Sequence, residues 1–168
     1  MKQVRKIKQL TADYPKFGDG RIDYTNERIC FVLNCVVVCG DEVLLTERGS
    51  DVVAYPNTIN GISGFIDRTD KGIAQQAKAE LSEELQAPLF SISRLAVSEP
   101  IVQIDTTINR EWHVFVVLVE FETKFQPVTN WENKSAKWYK IEEAKTVKLM
   151  PGFDETLGIA LGMRSTEK

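Results

Sequence analysis

From residue 29 onward, the apolar positions fall into runs separated by turn residues. Residues 31–39 form an apolar run rich in β-branched side chains, which predicts a central strand. Gly40-Asp41-Glu42 predicts a hairpin turn, and residues 43–48 its return strand. Tyr55-Pro56-Asn57 reads as a loop. Ile73, Ala77, Leu81 and Leu85 then step by four, with Ala74 among them, as one face of a helix does. Pro88 falls where a helix has just ended. Residues 92–97 and 101–104 predict short strands around Ser98-Glu99-Pro100. Residues 112–122 predict a long strand that is continuously apolar from 114 to 119. A polar loop is expected over 126–136, a strand over 137–141, a helical turn from Glu142-Glu143-Ala144, and a closing helix over 151–163. Phe153, Leu157, Ala160 and Leu161 form the apolar face of that last helix.

Residues 1–28 carry the weakest pattern. Lys2, Arg5, Lys6 and Lys8 alternate with Val4 and Ile7 closely enough to permit a peripheral strand or arm. Tyr14-Pro15 and Gly18-Asp19-Gly20 punctuate the rest of that segment. Its cations, or Tyr14, are candidates to reach a ligand held by the rest of the chain.

The polar side of the helix over 73–85 changes the picture from fold to chemistry. At about 100° per residue, Glu84 falls near +40° and Glu83 near −60° from Glu80, so three carboxylates share an arc of roughly 100°. That arc borders the apolar face and does not lie opposite it. Like charges at i and i+4 oppose each other, and Glu83 and Glu84 stand at the helix end that disfavours anions. A hard divalent cation such as Mg²⁺ would offset the repulsion, since it prefers carboxylate oxygen, water and phosphate. The alternative is a solvated acidic face balanced by Lys71 and Lys78.

Composition narrows the classes. The chain has 168 residues, 43% of them apolar, enough for one domain with a proper core. A net charge of −3 gives no general case for nucleic-acid binding. No apolar run is long enough to span a membrane, and the lysine-rich start lacks the apolar segment of a signal peptide. Cys30, Cys35 and Cys39 have no paired CxxC spacing, and on a strand Cys30 faces away from the other two. They are expected to be reduced thiols of a cytoplasmic protein. His113 is the sole histidine and is expected to be structural, and no nucleophile-elbow motif suggests a serine or cysteine triad.

The stretch from Ser63 to Ala87 resembles the signature of the Nudix hydrolases: Gly, five residues, Glu, seven residues, then Arg-Glu-apolar-any-Glu-Glu-any-Gly-apolar. Gly64 matches the opening glycine, Asp70 stands at the first acidic position, and Glu80, Leu81, Glu83, Glu84 and Ala87 match the second half. The departures are an extra residue between Asp70 and Ala79, Ala79 for the arginine, Gln86 for the closing glycine, and Ser63 where a second glycine is common. The resemblance covers residues 29–162 and leaves 1–28 as an N-terminal extension of a single domain. It implies an α/β/α sandwich: a mixed sheet between helices, with the loop–helix motif across one end.

It also implies a function: Mg²⁺-dependent hydrolysis, with Mn²⁺ as an alternative ion, of a phosphoanhydride in a nucleoside diphosphate linked to another group. By that resemblance Glu80, Glu83 and Glu84, with the carbonyl of Ser63, would hold the metal, and Glu83 or Glu132 would act as the base. Arg48 would hold a phosphate, Gly64 would let the backbone approach metal or phosphate, and Asp67 stands where the family often has a glutamate. Asp70 would either support catalysis or, with Thr69, cap the helix. Trp131 would stack on a base or pack. The family's arginine orients a glutamate of the metal-binding helix; Ala79 cannot, and Lys78 is rotated about 100° away. A Nudix-fold module that binds nucleotide or protein without turnover is the alternative function. A homodimer is frequent in the family, and no membrane partner is expected.

Overall fold

The sheet is organised on two strands, β1 (Ile29–Cys39) and β7 (Arg110–Phe121), which run parallel over ten paired positions from Ile29↔Glu111 to Val38↔Glu120. Their alternating side chains explain the layering. Leu33, Cys35 and Val37 of β1 join Phe115, Val117 and Val119 of β7 on one face, while Val36 and Val38 join Val116 and Leu118 on the other. Both faces are covered, so the strands read as continuous apolar runs in sequence.

In this computed structural model, which describes residues 1–165, the remaining elements follow the same order as the apolar runs. They are α1 (Lys2–Leu10), β2 (Glu42–Arg48), β3 (Ile59–Asn60), β4 (Ile62–Phe65), α2 (Ile73–Leu85), β5 (Ile92–Val97), β6 (Ile101–Asp105), β8 (Asn133–Lys140), α3 (Ile141–Ala144) and α4 (Phe153–Ser165). Ile73, Ala77, Leu81 and Leu85 of α2 pack on one sheet face; Phe153, Leu157 and Ala160 of α4 pack on the other. The result is an α/β/α sandwich around a mixed eight-stranded sheet. Among the described residues, no helix is long and apolar enough to cross a membrane.

Each central strand changes partner midway. β1 pairs with β4 over Val32–Cys35 and with β2 over Val37–Cys39; β7 pairs with β6 over Arg110–Val114 and with β5 over Val117–Phe121. Where partners diverge, the sheet cannot stay closed, and a cleft opens at Val32, Leu33, Asn34 and Val114. The position of the site is thus a property of the topology.

Two elements differ from the sequence expectation. Residues 2–10 are a helix, not a strand: Val4 and Ile7, three apart, are both 1% exposed, and Thr11 follows on the same side with its hydroxyl donating to the Ile7 carbonyl. With Ile22 and Tyr24 they belong to the same core as α2, so residues 1–28 are integral to one face and not peripheral. β8 begins at Asn133, ahead of the expected 137, because its backbone completes a ladder with β2 although its first side chains are polar.

Truncating Ile7 to alanine should therefore cost about 2–4 kcal/mol of unfolding free energy, as for a core aliphatic residue. A peripheral arm would lose no more than about 0.5 kcal/mol. Urea denaturation of Ile7→Ala beside the natural chain distinguishes the two.

Candidate active site

Gly64 and Glu80 set the local geometry. Gly64 lies in β4 opposite Leu33, and a Cβ there would overlap the Glu80 carboxylate. Only glycine lets that carboxylate lie against the strand backbone. The loop between β4 and α2 is fixed by Gln76, which is 6% exposed. Its amide donates to the carbonyls of Arg68 (2.9 Å) and Lys71 (3.1 Å), and its Oε1 accepts from the Arg68 N–H (3.2 Å). The helix is capped by Gly72, whose N–H donates to Gln75 Oε1 at 3.0 Å. This corrects the expectation for Thr69 and Asp70: neither caps α2, and Asp70 is exposed and outside the cleft lining. The extra residue of the loop moves the helix start beyond it.

Glu80 and Glu84, one turn apart on α2, face inward, and Glu83 is exposed at the cleft rim. Glu84 is 2% exposed. Its Oε2 accepts from Asn133 Nδ2 at 2.6 Å, whereas its Oε1 is buried without a partner. Burial, then the charges of Glu84, Glu83, Glu132 and Asp67, push the Glu80 carboxyl up to about 8. Burial, with the charge of Glu132, pushes Glu84 up to about 7, against the Asn133 hydrogen bond, the charge of Arg48 and a hydrogen bond shared with Glu80, which lower it. Two carboxylates forced together in a dry place resist ionising both.

The cleft above them has a volume of about 350 Å³. Arg48, Ser63, Gly64, Asp67, Glu80, Glu83 and Glu132 all line it. Arg48 donates to the Ala54 carbonyl (3.0 Å) and Ser63 Oγ (3.5 Å); burial lowers its pKa, against the fields of Glu84 and Glu132. Asp67 is held by Arg21 (3.3 Å), yet burial still raises its pKa. Aromatic side chains line the cleft as well. Phe65 is 43% exposed, stacked on Tyr24 at 5.2 Å and 6.2 Å from Trp112. Trp112 Nε1 donates to the Tyr55 hydroxyl (3.2 Å), which itself donates to Asp105 (2.7 Å). Burial and that bond push Tyr55 up to about 12, so it stays a donor.

The structure thus gathers Arg48, Ser63, Gly64, Asp67, Glu80, Glu83 and Glu132 around one cleft, with Glu84 beneath it and Asp70 apart. Trp131, 71% exposed, neither packs in the core nor lines the cleft. Tyr14 donates to the Ile29 carbonyl and packs edge-on against Tyr24, so it serves the fold and does not reach the cleft. The cations of α1 do not line the cleft either, but Arg21 of the same extension does. His113 is paired with Glu111 at 2.9 Å and packed on Phe31. Sequence reasoning missed Asn133, Phe65, Trp112, Tyr55 and Arg21. Of these only the isolated aromatics carried any signal, and it was too general to use.

Do these residues suit a divalent ion? Among the described residues, no three His, Cys, Asp or Glu side chains form a ready-made ion-binding group. Mg²⁺ does not require one: it takes one or two carboxylates and completes its shell with water and substrate phosphate. A close carboxylate pair with an unpartnered buried oxygen fits that demand.

No protein-family model and no curated protein matches the chain. Solved structures do. A Nudix hydrolase from M. smegmatis, RenU, superposes with TM-score 0.65 at 17% identity, over 83% of this chain and 88% of that one. The MutT protein from Methanosarcina mazei Go1 gives 0.66 at 10% identity, over 84% and 99%. A C. elegans Ap4A hydrolase gives 0.62 at 16% identity, over 81% and 98%. The chain has the Nudix hydrolase fold.

The raised carboxyl values have a thermodynamic consequence without any ligand. A carboxyl with a higher pKa folded than unfolded supports folding fully below the ordinary value of 4.5 and loses that support as pH rises through about 7 and 8. In EDTA, the melting temperature should fall between about pH 5 and pH 9, and Glu84→Gln should flatten the fall. Mg²⁺ should raise it more at about pH 8 than at about pH 6. Thermal melts across that range test this; a Tm indifferent to pH in both proteins would contradict it.

Proposed function

We propose that this protein is a Nudix-type pyrophosphohydrolase, cleaving a phosphoanhydride in a nucleoside diphosphate linked to another group, with Mg²⁺ (or Mn²⁺) as its ion. The observation that carries this is the buried Glu80–Glu84 pair, one oxygen unpartnered, below a cleft lined by aromatic rings and by Arg48. The Nudix fold, shared with the MutT protein and the Ap4A hydrolase, supports it.

Glu80 and Glu84 would hold the ion, with Glu83 at the rim and the carbonyl of Ser63 available beside Gly64. When bound, the ion supplies positive charge to the phosphate oxygens and Lewis acidity toward the attacking water. Phe65 and Trp112 offer faces for a base, and the Tyr55 hydroxyl, its one proton given to Asp105, holds the Trp112 ring in place. Arg48 presents a planar donor fork to a phosphate, and its burial strengthens that contact. Asp67, locked to Arg21, shapes the wall between cleft and loop. The water attacks phosphorus, its proton passes to a carboxylate oxygen of Glu83 or Glu132, and the nucleotide monophosphate leaves. Both acids line the cleft and neither is committed to an ion pair among the described residues. A non-catalytic binding module is the second reading, favoured by exposed Ala79, which leaves α2 without its orienting arginine.

Nucleoside monophosphate release from a panel of nucleoside diphosphate derivatives, with and without Mg²⁺, is the deciding experiment. Turnover should require the ion. Glu84→Gln should lower kcat by about a hundredfold or more, and whichever of Glu83→Gln and Glu132→Gln removes the base by about 10²–10⁴-fold. Nucleotide binding without turnover of any substrate would assign the chain to the binding-module reading.

A further inference from the structure

In the signature that the chain resembles, an arginine next to the first helix glutamate orients a ligand of the metal. Here α2 offers nothing for that task, since Ala79 and Lys78 are both exposed. The partner of Glu84 comes instead from across the sheet, 49 residues away, where Asn133 Nδ2 donates to Glu84 Oε2 at 2.6 Å. We propose that Asn133 is the positioning residue for Glu84, taking from β8 the part that an arginine of α2 would play. The proposal rests on Glu80 and Glu84 being the ion ligands.

The strand that carries Asn133 is irregular at this place. β2 and β8 pair in regular antiparallel register up to Glu47↔Ser135, and the next pair is Arg48↔Asn133, with Lys134 skipped. An unbroken ladder would set Lys134 opposite Arg48. The bulge inserts one residue and so reverses which side Asn133 faces. Lys134 is left exposed, reaching Asn57 and Glu47, and Asn133 turns inward to 4% exposure, on the same side as Arg48. The irregularity in β8 thus brings Asn133 to the side on which β2 already carries Arg48.

The segment before it is fastened. The Gly49 N–H donates to the Glu132 carbonyl at 2.7 Å, and a Cβ on Gly49 would stand 2.8 Å from the Trp131 carbonyl oxygen, so only glycine permits the approach. Asn130 Oδ1 accepts from the Glu132 N–H at 3.0 Å. Asn133 is therefore presented by rigid backbone, as a group that must orient another should be. Its amide holds one carboxylate oxygen and thereby fixes the direction of the other, Oε1, which has no protein partner. Oε1 is thereby kept as the oxygen that a cation would take.

Mn²⁺ binding to the nucleotide-free protein, followed by electron paramagnetic resonance of the free ion, tests the assignment. Asn133→Ala should weaken Mn²⁺ about ten- to a hundredfold, with kcat recovering at saturating ion and KM for nucleotide little changed. Adding Ala79→Arg to Asn133→Ala should restore affinity, whereas Ala79→Arg alone should change it by less than about threefold, the task being already filled. A folded Asn133→Ala with natural Mn²⁺ affinity overturns the proposal. So does a gain of about tenfold or more from Ala79→Arg alone, which needs no Asn133 variant to fold. Failure of the natural chain to bind Mn²⁺, or equal binding by Glu84→Gln, instead overturns the ligand assignment itself and this proposal with it.

Discussion

Everything around the site answers to one constraint: two carboxylates a helical turn apart are placed where water is scarce. Burial alone is enough to push both toward their neutral forms, and mutual repulsion adds to it for Glu80. A helix does not adopt such a face for stability, because a pair of apolar side chains in the same places would cost less. The surroundings reduce the cost piecemeal. Gly64 removes a side chain that Glu80 would strike, Asn133 supplies one hydrogen bond to Glu84, and Gln76 ties down the loop that sets the helix axis. What they leave undone, a buried oxygen and an uncompensated charge, is a demand that a cation and an anionic ligand together would meet.

The sheet explains why that demand arises at this place. A closed ladder leaves no room for a polar hollow between packed layers, and a loop long enough to build one alone would carry unsatisfied backbone groups. Here β1 and β7 remain paired throughout while each exchanges its outer partner, so the hollow forms between strands whose own hydrogen bonds are intact. Residues from β1, β2, β4, β6 and β7 then reach one cleft from rigid backbone, and α2 closes its floor with the acids. Rigid placement matters more to an oriented ligand shell than the number of ligands.

The legible parts of this architecture were those whose signal is local. Apolar runs of β-branched residues gave β1, β2 and β7, since both sheet faces are covered, and four-residue steps gave α2 and α4. The spacing of Glu80, Glu83 and Glu84 put their arc beside the apolar face, and Glu84 is accordingly buried and Glu83 exposed. Residues 2–10 were misread because a short segment with two apolar positions fits either period, and only packing decides. The start of β8 was missed because Asn133, Lys134 and Ser135 have no apolar alternation; β2 recruits their backbone. Asn133, Trp112 and Arg21 are not legible as site residues because each arrives from an element far along the chain, and Phe65, although next to Gly64, carries no chemical signal of its own. Asp70 was weighed as a cap by residue type alone, and the cap fell to Gly72.

The same distinction accounts for a chain that keeps the fold while no family model matches its sequence. Its departures from the signature fall at positions whose roles are geometric, and geometry admits more than one solution. Gln86, in place of the closing glycine, takes the left-handed conformation itself (φ 50°, ψ 40°), at a cost of about 1–2 kcal/mol. The helix-ending bonds survive: Gln86 N–H to the Ser82 carbonyl and Ala87 N–H to the Leu81 carbonyl. The extra loop residue is absorbed by Gln76. The lost arginine differs in kind, because a guanidinium orients and also neutralises, whereas the Asn133 amide only orients. Compensating charge at the pair falls instead to Arg48, whose field reaches Glu84, and to whatever cation binds above them, which makes the affinity of this site a matter of charge as much as of shape.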